Sequence, residues 1–431
     1  MAALALTLGS FLLILVLVRV KVPLAMAILG GAVAVGLGFG LPLGRVATGV
    51  VRGATQPLAL GVDLTVIFLL AISALMQSSG QMQRIVDLAR SILRRPAMTM
   101  AALPALIGLL PMPGGALFSA PMVASAAGPD RAGGDLLSAI NYWFRHIWEH
   151  WWPLYPGVIL AMTLTGTDLA TFVAFQMPLG VAMAASGLVL FHGIHPELHA
   201  SGPPAGAGTW GALRRETSTI WAILLTWGLS TLALAVMTHA GWLAAPPEWL
   251  QRFGPLAVAM LAGLVATIRI NHLGAGDAMT ALLRPSVLSL AGLVTTIMIY
   301  QYILADAGAA PRIAAEMAAN HLPPLLVVVL LPAIAGLITG VAFGFVGTSF
   351  PIVLGILAAM PGAPPVRPYA VLAYACGHLG MMASPLHLCL VVSNRYFSSS
   401  YWPVYRRLIV PTLLLAVFAA AYFLLLRTFI G

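Results

Sequence analysis

Apolar stretches close to 20 residues long recur along the chain, separated by short polar or turn-forming segments. In the first part they cover 2–20, 22–40, 57–78, 136–162 and 170–191. After a polar connection they cover 217–240, 253–270, 286–306, 368–393 and 403–427. About 20 apolar residues in an α-helix cross the hydrocarbon core of a bilayer, so the pattern predicts ten transmembrane helices. Two further stretches, within 97–127 and 322–360, are interrupted by Pro, Gly and Ser. Such a break frees backbone N–H and C=O groups that lipid cannot satisfy, and it belongs inside protein or beside a water-filled cavity. These two stretches predict re-entrant hairpins. Residues 81–95 (QMQRIVDLARSILRR) alternate basic and apolar positions at helical spacing and predict a helix lying on the membrane surface, with 309–320 in the corresponding later place.

The two hairpins are copies of one element. Leu103-Pro104-Ala105 matches Leu331-Pro332-Ala333, and Gly108-Leu109 matches Gly336-Leu337, at an offset of 228. Beyond the break, Ser119, Pro121 and Val123 match Ser349, Pro351 and Val353 at an offset of 230. The repeat continues at an offset of 232, which sets Tyr142 on Tyr374, His146 on His378 and Pro153-Leu154 on Pro385-Leu386. Each half then holds five crossings and a hairpin. Five is odd, so the second half enters the membrane from the opposite face. The expected fold is an all-α polytopic membrane protein with two inverted repeats, 1–191 and 217–431, joined by a cytoplasmic linker at 192–216.

Composition agrees with a membrane chain and excludes a soluble domain: of 431 residues, 60% are hydrophobic and 8% charged, with a mean hydropathy of +0.98. The net charge of +9 comes from arginines and the single Lys21. In a membrane protein that excess sets orientation rather than nucleic-acid binding. Fourteen basic residues, from Arg19 to Arg407, fall on one side. Six fall on the other (Arg45, Arg52, Arg252, Arg312, Arg367 and Arg427), which puts the first side in the cytoplasm and both termini outside. The first stretch has no basic leader and reads as a mature helix. Cys376 and Cys389 share one predicted span and read as ordinary buried residues.

Candidate chemistry gathers at the breaks. Pro113, Gly114, Gly115 and Ser119 in the first hairpin and Gly347, Thr348 and Ser349 in the second form the expected tips. Glycines there allow close approach, and hydroxyls with helix N-terminal N–H groups suit an anion. The span 136–162 carries Arg145, His146, Glu149 and His150 before Pro153 and Pro156. Charges at membrane depth are costly, so these groups pair or face a cavity. Spaced i,i+4, Arg145 and Glu149 are expected to neutralise each other on one helical face. The functional reading gives Arg145 to an anionic solute and Glu149, His146 and His378 to coupling, with Ser384 and His387 beside the break at Pro385. The competing reading is an ion pair with aromatic anchoring. His146-Ile-Trp-Glu149-His150 also fits the H-x-x-E-H pattern of a zinc peptidase. The second half lacks that pattern's Glu and second His, so no metal ligand is assigned.

The motifs PMPGGALFSAPM, NYWFRHIWEHWWPLYPG and MMASPLHLCL resemble an uncharacterised family of prokaryotic integral membrane proteins allied to the ion-transporter superfamily, which includes gluconate, citrate and divalent-anion symporters. The resemblance implies a secondary transporter in the inner membrane, homodimeric and working by an elevator motion. Sodium-coupled members carry an Asn at each hairpin tip and none stands at these tips, a departure from the sodium-coupled, carboxylate-binding pattern. The expected coupling ion is H⁺ or Na⁺, with Glu149 and the histidines favouring H⁺. No other cofactor is expected. The expected partners are a small anionic solute and the lipid bilayer. A channel is the alternative reading outside the enzymes.

Overall fold

The computed structural model describes residues 2–93, 95–109, 111, 115–127, 133–192, 206, 208–244, 246–360 and 364–430. The described secondary structure is helical throughout. Among the described residues eight helices are long and apolar enough to cross a membrane, and the protein is a multi-pass membrane protein. The expected hairpin tip residues Pro113 and Gly114, and most of the linker after His192, lie outside the described residues.

Each half runs through the same series of elements. The first has Ala2–Arg19, Leu24–Gly38, a short helix Leu43–Thr55, Pro57–Ser78, a second short helix Gln81–Ile92, the hairpin arms Pro96–Gly108 and Ala116–Ala127, a broken helix and Leu169–Gly187. The second has Ser218–His239, Glu248–Ile270, Ala275–Leu282, Pro285–Asp306, Ala309–Ala319, the arms Pro324–Thr339 and Ala342–Ala359, a broken helix and Tyr401–Ile430. The packing is reciprocal. Pro285–Asp306 packs on Leu24–Gly38 and Leu43–Thr55, while Pro57–Ser78 packs on Glu248–Ile270 and Ala275–Leu282. Likewise the second arm of each hairpin packs on the later part of the other half's broken helix.

Three helices were not legible in the apolar pattern: Leu43–Thr55, Ala275–Leu282 and, within the expected linker, Thr209–Glu216. They are too short and too polar to cross. Leu43–Thr55 is seated by glycine, since a Cβ at Gly53 would come within 2.7 Å of Ile299 Cα. A polar knot holds the surface helix Gln81–Ile92 to the second half: Gln81 donates to the Glu216 carbonyl (2.6 Å), Arg84 donates to the Glu216 carboxylate (3.0 Å), and Asn271 donates to Gln81 (2.7 Å). At the other end of the helices, Arg45 grips Asp306 through two 3.0 Å bonds, so Asp306 is structural.

Candidate functional site

Both broken helices stop at proline-containing turns. Gly134–Arg145 ends, residues 146–155 turn, and Pro156–Thr165 resumes; Val366–Met382 ends, 383–387 turn, and Leu388–Tyr396 resumes. Pro153, Pro156 and Pro385 lack the N–H that would continue the ladder. The carbonyls so released are recovered by tyrosines. Tyr374 donates its hydroxyl to the Glu149 carbonyl (2.7 Å), and its repeat partner Tyr142 donates to the Met382 carbonyl (3.0 Å). Each half therefore caps the break of the other. Within the second half, Tyr405 donates to the Ala383 carbonyl (3.0 Å). A buried acceptor left without its donor costs about 1–3 kcal/mol. Tyr142→Phe and Tyr374→Phe should therefore each lower stability by about that amount, read as a reduced melting temperature of detergent-purified protein.

Glycines let the hairpin arms cross these helices with backbones in contact. The Gly108 Cα lies so close to the Arg145 carbonyl that a Cβ would approach it to 2.3 Å, and Gly336 stands in the same way against the Gly377 carbonyl at 2.1 Å. Arg145 is buried, 3% exposed, and its guanidinium lies over Gly115, where a Cβ would come within 2.5 Å of both terminal nitrogens. Its Nε donates to Cys389 Sγ at 3.4 Å. Asn141 ties the same region together, donating to the Ala116 carbonyl (3.2 Å) and to Ser393 (2.8 Å).

Arg145 opens onto a cavity of about 360 Å³ bordered also by Glu149, Tyr155, Arg284, His387 and Cys389, and by Ser73 and Gln77. Four helices begin on its lining: Pro156–Thr165, Pro285–Asp306, Ala342–Ala359 and Leu388–Tyr396. Helix N-termini present unpaired N–H groups and the positive end of the peptide dipoles, so all four favour negative charge in the cavity. The two arginines outnumber the single carboxylate, Glu149, in the same sense.

Among the expected site residues, Arg145, Glu149 and His387 reach this cavity. His146 lies just behind it, with Nε2 3.9 Å from Glu149 and the ring edge-on to His387, centroids 4.6 Å apart. Ser384 is buried in the 383–387 turn, where it accepts from Leu386 N–H (3.2 Å) and touches Gly340. Several expectations are corrected. Gly347, Thr348 and Ser349 do not form the second tip: the chain turns at Gly340, in the left-handed region (φ +65°), and at extended Val341. Thr348 and Ser349 lie inside the following helix and donate to the carbonyls of Gly344 and Phe345, while Gly347 packs against Ile297. Ser119 is likewise buried, directed at the Gly115 and Ala116 carbonyls of its own helix. Glu149 faces His146 rather than Arg145, because the helix ends at Arg145 and the i,i+4 register is lost. His378 stacks on His150 at 4.0 Å between ring centroids and does not border the cavity. The helix that would carry both histidines of the H-x-x-E-H pattern on one face ends at Arg145, before them. Arg284 and Cys389 were missed. Arg284 read as one of many orienting charges, and Cys389 read as the continuation of a helix that in fact breaks before it.

Reciprocal hairpins and broken helices, with helix N-termini meeting on one cavity, define a polytopic membrane protein of the kind whose site is built from discontinuous helices. The chain belongs to the family described as a protein of unknown function (DUF401), whose pattern it matches over residues 3–203 and 258–426. No functionally curated protein matches it. Two solved transporters share the fold. The YdaH transporter of Alcanivorax borkumensis superposes with a TM-score of 0.56 at 15% identity, over 90% of this chain and 88% of that one. MtrF of Neisseria gonorrhoeae, from a class of antimetabolite efflux pumps, gives 0.53 at 14% identity, over 88% and 83%.

Proposed function

We propose that the protein is a secondary active transporter for a small anionic solute, bound in the cavity between the two broken helices and the turn of the second hairpin. The observation that carries this reading is the convergence of four helix N-termini with Arg145 and Arg284 on one cavity. A site lined by so much fixed positive charge holds an anion without reorganising. The shared fold of two transporters supports the same class. The two halves act as inverted repeats, and the gating motion is an elevator-like displacement of the hairpins with their broken helices. The protein then sits in the inner membrane, and the arginine asymmetry supports an orientation with both termini outside.

Glu149, whose carboxylate lies 3.9 Å from His146, is the group we assign to proton exchange. A thermal-shift screen of purified protein against small carboxylates and inorganic oxyanions, at acidic and neutral pH and with or without Na⁺, tests the reading, since a ligand of the folded state raises its melting temperature. The expected hit strengthens at acidic pH without sodium, and Glu149→Gln makes it independent of pH. A hit that needs sodium and ignores Glu149→Gln would move coupling away from Glu149. Absence of any anion hit would remove the anion site.

A further inference from the structure

Behind the cavity, His146, His387 and Cys389 each offer a ligand atom, and the three atoms lie within 4.8 Å of one another. They come from both halves of the chain, brought together by the two breaks. We infer that this trio binds a zinc-like divalent transition-metal ion whose open coordination position faces the cavity, where an anionic group of the solute completes the shell.

Three observations carry the assignment. First, the donor set is the one such ions select: two imidazoles and a thiolate, close to a tetrahedral zinc site of three protein ligands with one open position. Ideal zinc–ligand lengths put ligand atoms about 3.3–3.6 Å apart, so the trio draws in by no more than about 1.5 Å on binding. Second, His146 is oriented as metal-bound histidines are. Its Nδ1 lies 2.6 Å from the Tyr142 carbonyl, which fixes that nitrogen as the donor and leaves the lone pair on Nε2. Third, His146 Nε2 and His387 Nδ1 are buried without a hydrogen bond in the protein, an expensive arrangement for a nitrogen that no ligand satisfies. His146 is fully buried and His387 is 6% exposed.

The surroundings explain why an anion is needed. Arg145 and the helix N-termini disfavour a bare dication, while Glu149 and the Cys389 thiolate offset its charge. A carboxylate or oxyanion entering from the cavity adds the remaining negative charge and meets the helix N-termini with its other oxygens. Binding displaces the Cys389 thiol proton to solvent, since only the thiolate ligates. The metal trio stands independently of the proposed function; the role of the open position rests on that reading.

Cobalt substitution tests both parts. Titrating metal-free protein with cobalt chloride should produce the near-ultraviolet thiolate-to-cobalt absorption together with visible bands of a tetrahedral ion, at one ion per chain. Cys389→Ser should remove the near-ultraviolet band, and Cys376→Ser should retain it. Acetate should shift the visible bands. No thiolate band in wild-type protein, or a band that survives Cys389→Ser, would overturn the site. A thiolate band with visible bands unmoved by acetate would overturn the open position. If Cys389→Ser does not fold, zinc should protect Cys389 from maleimide in the Cys376→Ser protein, and equal labelling with and without zinc would overturn the site. Anion-induced thermal shifts in metal-free protein without any cobalt signature would sink this inference while leaving the proposed function standing; the cobalt signature without anion binding would do the reverse.

Discussion

Arg145→Gln should abolish anion binding and uptake while leaving a folded, membrane-inserted protein. The guanidinium is buried on the lining of the cavity, lies over Gly115 and donates to Cys389, so it is held in one place before any solute arrives. A preorganised buried cation loses none of its interaction to water, and truncating one partner of a buried charge pair costs about 2–5 kcal/mol. That corresponds to a loss of affinity of about 30-fold to several thousand-fold. Glutamine keeps much of the side chain's volume and its hydrogen-bonding capacity, so packing is largely retained and the change reports charge. Isothermal binding of the hit anion, beside the elution profile of the variant, checks it. Unaltered affinity in a monodisperse protein would remove Arg145 from the site. Arg145→Lys should recover little, because a single ammonium cannot span Gly115 and Cys389 as the planar fork does.

The second large effect is structural. Gly336→Ala and Gly380→Ala should each prevent assembly of the second hairpin on its broken helix. A Cβ at Gly336 would come within 2.1 Å of the Gly377 carbonyl oxygen, and one at Gly380 within 2.0 Å of the Ala333 carbonyl oxygen. The atoms struck are backbone, so no rotamer change relieves them and the two helices must separate. Close crossing through small residues is what holds membrane helices together when the lipid is as apolar as their side chains. Overpacking in ordinary cores costs about 1–3 kcal/mol where side chains can shift, and here they cannot. Both variants should show little folded protein by fluorescence-detected size exclusion. Gly228→Ala and Gly292→Ala, where nothing lies within 4 Å of an added Cβ, serve as controls and should be neutral or slightly stabilising in their helices. Equal behaviour of all four variants would show that this crossing tolerates separation.

Much of the architecture was legible in the sequence because bilayer thickness and backbone satisfaction leave few choices. The long apolar spans, the two hairpins and the breaks at Pro153 and Pro385 all follow from length and from proline. Local position within a break was less legible. The hydroxyls of Thr348 and Ser349 suggested a tip, yet in a helix Ser and Thr satisfy themselves on the carbonyl four residues back, and both do so. The real turn uses Gly340, whose positive φ needs no polar signal at all. The match of Tyr142 to Tyr374 was visible as a repeat. Its meaning was not, because each hydroxyl serves a carbonyl more than 200 residues away. Cys389 escaped for the same reason: its neighbours Arg145 and His146 come from the other half, and no spacing along the chain announces them.

The central claim, a coupled transporter with its anion site at Arg145, is tested most directly by flux in proteoliposomes. Purified wild-type protein and Arg145→Gln are reconstituted, and uptake of the hit anion is followed with and without an imposed inward proton gradient. The account predicts saturable accumulation above the external concentration in wild-type vesicles, driven by the gradient and absent in Arg145→Gln. Flux that never saturates and only follows the anion's own gradient, equal in the two proteins, would describe a channel and contradict it.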